Sequence, residues 1–593
     1  MCGIVGYLGG KRDIKDFLLK GLKELEYRGY DSAGIAVLQN GELKICKAVG
    51  KLKNLEEKCK NVKTEGFGAG IGHTRWATHG KPTELNAHPH LGEFSYVVHN
   101  GIIENFKEIK EELEAPFVSQ TDTEVIVHLF EKNLQQGLKP FEAFKATIEK
   151  LKGSYAILLI TKAMPDTVFY AKKGSPLIIG RAEEEIFFAS SDAPLIGYAK
   201  EVHYLDDGEF GYVDKEEISN WKEREKKEPL FQPLTLNKEF AQKGGFRFFM
   251  EKEIYEQSDV ITQTLMGRAK DEAIEFEELE HGFFEDIQNI KICACGTSYH
   301  AGLTGAYLLE RLAKIPCSVE IASEFRYKEP LLSDKTLFIV ISQSGETADT
   351  LEALKMAKEA GLKTLAVCNV DNSSIVRLAD RTILTRAGIE KGVASTKAFT
   401  TQVAVLWMLA LYLAKNFDKK ELEALLHLPQ ALKVDDALHE RLKRLSKRYL
   451  HGHGFFFIGR DIFYPLALEG ALKLKEISYL HAEGYPAGEM KHGPIALADP
   501  ELFTIALMPK TLLYDKVKSN VEELSARDST ICAVSSEEFE LADDFIKIEP
   551  QNHPMLEYFS MSVVLQLLAM EIAIRLGNDV DMPRNLAKSV TVE

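Results

Sequence analysis

Two hydrophobic patterns divide the chain. In about the first 230 residues, short β-rich runs at Ile4–Leu8, Gly34–Leu38, Ser95–His99 and Tyr155–Thr161 are bounded by glycine or polar residues. Helical spacing lies between them, at Asp13–Leu25 and Asp122–Gln136. Ile186–Ser190 and Glu209–Val213 read as further strands. This mixture predicts a sheet-rich α+β domain. From about residue 250 the pattern becomes strand, loop, long helix. Ile290–Ala294, Thr336–Ser342, Lys363–Asn369 and Arg381–Thr385 form one set, and Gly454–Ile458, Leu502–Met508, Thr530–Val534 and Phe545–Ile548 form a second. Each set predicts α/β layering on a parallel sheet, so the second half contains two similar modules, 283–425 and 450–583. Leu466–Leu480 reads as one helix, and Val403–Leu413, extended by Ala414, reads as a buried one.

Between the halves the composition shifts. Lys222–Glu228 is a charge run that reads as a solvated surface segment, followed by Pro229 and Pro233. Lys238–Gly245, with its paired glycines, reads as a hinge. The expected organisation is a first domain over 2–236, a linker over 237–249, the two modules, and a terminal tail over 584–593.

With 593 residues, one core is excluded on size alone. The net charge of −16 disfavours non-specific binding to nucleic acid or an anionic membrane. The 403–414 run falls short of the roughly 20 residues a bilayer span needs, and no signal-peptide pattern opens the chain. Eight cysteines without a C-x-x-C pair predict a reduced, cytoplasmic protein without a zinc ribbon.

Cys2 follows the initiator methionine. Its removal would leave a thiol beside a free α-amine, which can take the thiol proton and prepare attack on a carbonyl. A small cysteine starting a strand is the bland alternative. Other clusters favour the chemistry: Tyr27–Gly34, His73–Gly80, His99–Ile103 and Thr121–Glu124. Arg75 could fork onto a carboxylate, Asn100 and Gly101 could supply an oxyanion hole, and Asp122 could hold an ammonium. Together they suit hydrolysis of an amide on an amino acid. His88 and His90, with His73 and His79, offer a metal set only on unlike loops, and no metal is expected.

These motifs, in order, resemble the class II (N-terminal nucleophile) glutamine amidotransferases over most of residues 2–235. The resemblance implies that Cys2 attacks the glutamine amide and releases ammonia. It also implies that Arg75 binds the α-carboxylate with Thr78 and His79 nearby, that Asp122 and the Gly101 region bind the amino-acid end, and that Trp76 gates an ammonia channel.

In the second half, the strand Leu337–Ile341 runs into Ser342-Gln-Ser-Gly-Glu-Thr347 and then a helix. Hydroxyls and amides at a helix N-terminus can cradle a phosphate, or simply cap the turn. Cys295–Tyr299, Phe457–Asp461 and Gly392–Lys397 are further loops at strand ends or helix starts. The Ser-Gln-Ser-Gly-Glu-Thr stretch at 342–347 and the Cys-Gly-Thr-Ser stretch at 295–298 resemble the sugar isomerase domain family. That implies Ser342, Gln343, Ser344 and Thr347 on a sugar phosphate, with Thr297 and Ser298 beside them and Val393 nearby.

Glu469, Lys473 and Glu476 share one face of the helix 466–480, with Leu468, Leu472 and Tyr479 available to bury a flank. Such a ladder is ordinarily a surface salt-bridge row. The alternative is a general base beside a lysine. Tyr479–Glu483, Gly488–Pro494 and the tail Pro583–Glu593 add His492 and Lys588.

Across nearly the whole chain the pattern resembles the glucosamine-6-phosphate synthase family. It implies a fold of an N-terminal nucleophile α+β sandwich followed by two doubly wound parallel-sheet α/β sugar isomerase modules. It implies transfer of the L-glutamine amide nitrogen to D-fructose 6-phosphate with isomerisation, the first step toward UDP-N-acetylglucosamine, in a homodimer without a cofactor. By the same resemblance Glu476 moves a proton between C1 and C2 and Lys473 assists. His492 opens the sugar ring, reaching into a neighbouring subunit. Lys588 contacts the open-chain sugar and can form an imine, and Ala587 and Glu469 line the site. Phe248 and Pro486 depart from the pattern. The alternatives are another acceptor for the same glutaminase, or a non-catalytic phosphosugar-binding regulator.

Overall fold

A computed structural model describes residues 2–76, 80–113, 115–234, 243–270 and 273–591. Two compact units emerge, Met1–Gln242 with Ala587–Glu593, and Lys243–Leu586.

The first unit carries an eight-stranded and a seven-stranded sheet. The strand Gly3–Gly9 pairs antiparallel with Gly68–Arg75 on one side and Glu185–Ala189 on the other. Its alternate residues serve different cores. Ile4 and Leu8 pack toward Val98, Leu158 and Tyr170 of the second sheet. Val5 and Tyr7 pack toward the helix Ile14–Leu25 through Phe17 and Leu18. The strand is therefore apolar throughout, as a strand buried on both faces must be. Helices Glu124–Gln135 and Pro140–Lys150 cover the outer face of the second sheet. The layers run helix, sheet, sheet, helix.

The second unit contains two five-stranded parallel sheets of one topology. In the first, the order is Cys317–Ile321, Asn289–Ala294, Thr336–Ser342, Lys363–Cys368, Arg381–Leu384. In the second it is Ala482–Pro486, Gly454–Gly459, Leu502–Leu507, Thr530–Ser535, Asp544–Lys547. Each chain path runs out to one edge and then reverses, which opens a crevice beyond the carboxyl ends of the two central strands. The helices Lys397–Leu413 and Pro554–Arg575 fill the shared core.

Three features add to the sequence reading. Both first edge strands, Cys317–Ile321 and Ala482–Pro486, are only partly buried and lack an unbroken apolar run to announce them. The charge run at 222–228 is exposed over 223–228, as expected, and lies at a hairpin in which Ile218–Lys222 pairs with Glu225–Lys226. Among the described residues, Pro554–Arg575 is the helix long and apolar enough to cross a bilayer, and 89% of its apolar stretch is buried inside the protein. Glu557, Gln566 and Glu571 interrupt its sequence, which is why the 403–414 run looks longer.

Candidate active sites

In the first unit, Cys2 lies at the start of the strand Gly3–Gly9, opposite the end of Gly68–Arg75. Its Sγ accepts the Trp76 amide at 3.3 Å and faces the Trp76 carbonyl at 3.5 Å. Burial pushes the thiol up, and the Trp76 amide and the Arg75 guanidinium pull it back. The resting thiol is therefore protonated, and attack requires a base.

Asn100 bridges to the cysteine. Its Nδ2 donates to the Cys2 carbonyl at 3.0 Å, and its Oδ1 accepts from His73 Nε2 at 3.0 Å. The same nitrogen faces the His99 carbonyl at 3.1 Å. Both neighbours are acceptors, so Nε2 carries the proton. His73 Nδ1 is buried without a hydrogen bond among the described residues. Burial, reinforced by the Arg75 charge, holds His73 neutral, down to about 3. His88 stacks on His73 with centroids 4.0 Å apart, and His90 meets His88 edge-on at 4.6 Å. Burial likewise lowers His88, His90 and His99. These imidazoles bond to Thr121, Thr123 and backbone, which makes them a packed neutral layer beneath the cysteine. Among the described residues no group of His, Cys, Asp and Glu is arranged to hold a metal.

Gly101 adopts φ +133°, and a Cβ there would stand 2.0 Å from the Ser154 carbonyl, so only glycine fits. Asp122 Oδ2 accepts the Ile103 amide at 2.7 Å. Arg75, 3% exposed, donates to the Gly80 carbonyl at 3.1 Å. Thr78 and His79 lie outside the described residues.

In the second unit, the strands Asn289–Ala294 and Thr336–Ser342 pair in parallel, so the loops at their carboxyl ends are neighbours. Ser342 Oγ accepts the Gly345 amide at 2.9 Å and meets Thr347 Oγ1 at 3.2 Å. Ser344 Oγ accepts the Glu346 amide at 3.2 Å. Gly345 sits at φ +66°, and a Cβ would fall 1.9 Å from Ser373 Oγ. The helices Gly296–Leu308 and Ala348–Glu359 both start without a side-chain cap, which leaves first-turn amides available to an anion at this edge. Ser298 Oγ accepts from Gln402 Nε2 at 3.1 Å, and Gln343 is half-buried.

The ladder on Phe463–Ser478 is not a surface row. Lys473 and Glu469 show side-chain exposures of 1% and 4%, and Glu476 shows 20%. Leu468, Leu472 and Tyr479, expected to bury a flank, are half-buried. Lys473 Nζ donates to Glu476 at 2.6 Å and to Thr297 Oγ1 at 3.1 Å, and lies 3.4 Å from Glu469. Thr297 Oγ1 donates onward to Glu469 at 3.0 Å. Burial alone would lower the lysine, but the Glu469 and Glu476 carboxylates outweigh it and raise the amine above its ordinary value. Lys473 is an ammonium with every donor directed. The helix ends at Ser478, before the expected 480. Tyr479 turns left-handed at φ 65°, where its hydroxyl accepts the Arg584 amide at 2.7 Å.

Several participants escaped the sequence reading. His300 Nδ1 lies 2.8 Å from Glu469 Oε2, one helical turn beyond Thr297. Glu253 accepts the amides of Lys391 at 2.5 Å and Gly392 at 3.1 Å. Val393 donates its amide to the Asp581 carbonyl at 3.0 Å. The Asp581 carboxylate caps Phe249 and Met250, both at 2.9 Å. The loop carrying Val393 is thus pinned from two distant segments. His492 is exposed on a short turn and makes no hydrogen bond or ion pair among the described residues. Ala587 and Lys588 are half-buried and group with the first unit.

A glutamine–fructose-6-phosphate aminotransferase (isomerising) of Campylobacter jejuni is 63% identical over all of both chains. Those of Helicobacter pylori and Escherichia coli K12 are 54% and 44% identical, again over all of both chains. This chain belongs to the isomerising glutamine–fructose-6-phosphate aminotransferase family. The family description "SIS domain" matches residues 283–412 and 452–575, and "Glutamine amidotransferase domain" matches 81–196. The solved C-terminal domain of glucosamine-fructose-6-phosphate aminotransferase from Francisella tularensis is 40% identical with a TM-score of 0.55, covering 57% of this chain and 99% of that one. Membership in this aminotransferase family accounts for the joint presence of an amidotransferase sandwich and duplicated parallel sheets.

Proposed function

We propose that the protein transfers the amide nitrogen of L-glutamine to D-fructose 6-phosphate and isomerises the product, giving D-glucosamine 6-phosphate and L-glutamate. The observation that carries this reading, beside the family, is the buried Glu469–Lys473–Glu476 cluster closed by Thr297 from the other module.

After removal of Met1, the α-amine of Cys2 takes the thiol proton, and the thiolate adds to the glutamine carbonyl. Asn100 Nδ2, held in place by His73 through Oδ1, and the Gly101 amide stabilise the oxyanion. Arg75, with Thr78 and His79, receives the α-carboxylate, and Asp122 receives the ammonium. Ammonia leaves, and water releases glutamate from the thioester. Trp76, whose backbone brackets the nucleophile, gates the path of ammonia.

Ser342, Gln343, Ser344 and Thr347 hold the sugar phosphate, with Thr297, Ser298 and the Val393 loop alongside. Ammonia condenses with the C2 carbonyl and expels water. Glu476, the most accessible carboxylate of the cluster, moves a proton from C1 to C2. The reduction at C2 matches the oxidation at C1, so no redox cofactor is required. Lys473 acts as a fixed ammonium beside Glu476 and assists the proton transfer. Glu469 anchors it. The exposure of His492 suits ring opening in a partner's site, in a cytoplasmic homodimer. Lys588, beside Ala587, meets the open-chain sugar as an imine or a hydrogen-bond donor.

The test supplies purified protein with glutamine, with and without fructose 6-phosphate, and records glutamate and glucosamine 6-phosphate. Glutamate release should rise with the sugar and match the aminosugar formed. Cys2→Ala should abolish both, and Glu476→Gln should abolish the aminosugar from supplied ammonia. Glutamate without aminosugar would reassign the acceptor.

A further inference from the structure

The two modules of the second unit share one strand order, yet their equivalent loops have opposite fates. In the first, the strand Thr336–Ser342 enters a loop of hydroxyls and then the helix Ala348–Glu359. In the second, Leu502–Leu507 occupies the same place in its sheet and enters residues 508–513, followed by the helix Tyr514–Ser525. Two amides and a hydroxyl of this second loop are already taken. The Lys510 amide donates to Glu557 Oε1 at 2.9 Å and the Thr511 amide to Glu557 Oε2 at 2.9 Å. The Thr511 hydroxyl donates to the same carboxylate. Glu557 belongs to the first turn of Pro554–Arg575 and has no solvent exposure.

Burying a carboxylate costs several kcal/mol unless its oxygens are satisfied. Here two consecutive amides and a hydroxyl converge on it, and its own helix N-terminus adds favourable potential. Consecutive amides at a βα turn, with a hydroxyl from the same turn, are the donor set that receives a phosphate oxygen trio. We propose that loop 508–513 is a phosphate-type anion cradle filled from within by Glu557, so that the second module retains the cradle but not the vacancy. The first module then binds sugar phosphate at this edge and the second does not. Duplication of the fold is preserved while duplication of the binding function is not.

The experiment measures binding of inorganic phosphate to the full-length protein by calorimetry, with glucosamine 6-phosphate at saturation to fill the first module. Wild type should bind no further phosphate, and Glu557→Ala should bind one per chain. The readout is this difference of one site, so it survives a failure of the assigned reaction, which would show separately as no binding of glucosamine 6-phosphate. Phosphate should also raise the Tm of Glu557→Ala by more than that of wild type. A Glu557→Ala chain that folds only in phosphate supports the proposal. One that folds and gains no site, or that stays unfolded even in saturating phosphate, overturns it. So does a phosphate site in blocked wild type.

Discussion

Lowering the pH should loosen the first unit through His73. The ring is neutral in the folded chain, held at about 3 against an ordinary value of 6.5 by burial and the Arg75 charge. A histidine whose folded value is depressed favours unfolding wherever the unfolded chain binds the extra proton, so stability falls as pH drops below about 6.5. From pH 7 to pH 5 the unfolded ring goes from about one-quarter to nearly fully protonated, while the folded ring stays neutral. The linkage integral gives about a 25-fold shift toward the open state, or about 2 kcal/mol at 1.36 kcal/mol per pK unit. The comparison that isolates this is wild type against His73→Gln, because carboxylates titrate alike in both. Pulsed hydrogen exchange along a urea series, read on peptides from Gly68–Arg75 and Ser95–Ile103, reports opening of this unit within the intact chain. Wild type should lose about 2 kcal/mol more than His73→Gln between the two pH values. Equal losses would mean that the ring is not a buried neutral donor, and the orientation of Asn100 would need another cause.

Lys473→Met should leave Glu469 and Glu476 buried without a counter-ion, a defect of about 3–5 kcal/mol; aminosugar synthesis should fall at least 100-fold in a coupled assay while sugar-independent glutaminase stays within twofold. Glu253→Gln removes the charge from two amide contacts of the 391–393 loop, each charged hydrogen bond contributing about 1.5–3 kcal/mol; initial rates should show KM for fructose 6-phosphate rising at least tenfold with little change in kcat. His300→Leu should release Glu469 and lower kcat for aminosugar synthesis at least tenfold in initial-rate assays, and His300→Gln should restore it, since an amide can still donate to the carboxylate. Gly345→Ala forces a left-handed residue against Ser373 Oγ, a strain of about 1–3 kcal/mol; the Tm should drop and sugar phosphate binding weaken together by calorimetry.

Local pattern identifies the parallel strands of the second unit because each is short, apolar throughout and closed by a loop at its carboxyl end, as at Thr336–Ser342 and Leu502–Leu507. The same property hides the edge strands Cys317–Ile321 and Ala482–Pro486, whose half-exposed faces look like loop. Motif residues are legible where chemistry and spacing coincide along the chain, as in 342–347 and at Cys2. Their electrostatic state is not. The spacing of Glu469, Lys473 and Glu476 suits a solvated row equally well. It becomes a buried cluster because Thr297 and His300, some 170 residues away, close over it.

The duplicated parallel-sheet pattern, the thiol at position 2 and the hydroxyl loop are legible along the chain, since each depends on neighbours within a few residues. Packing in three dimensions is what makes four histidines a neutral layer, pins the Val393 loop with Asp581 and Glu253, and fills the second cradle with Glu557. Desolvation and hydrogen-bond satisfaction are set by which segments meet in space, and pairs such as Thr511–Glu557 or Gly392–Glu253 leave no periodic trace along the chain.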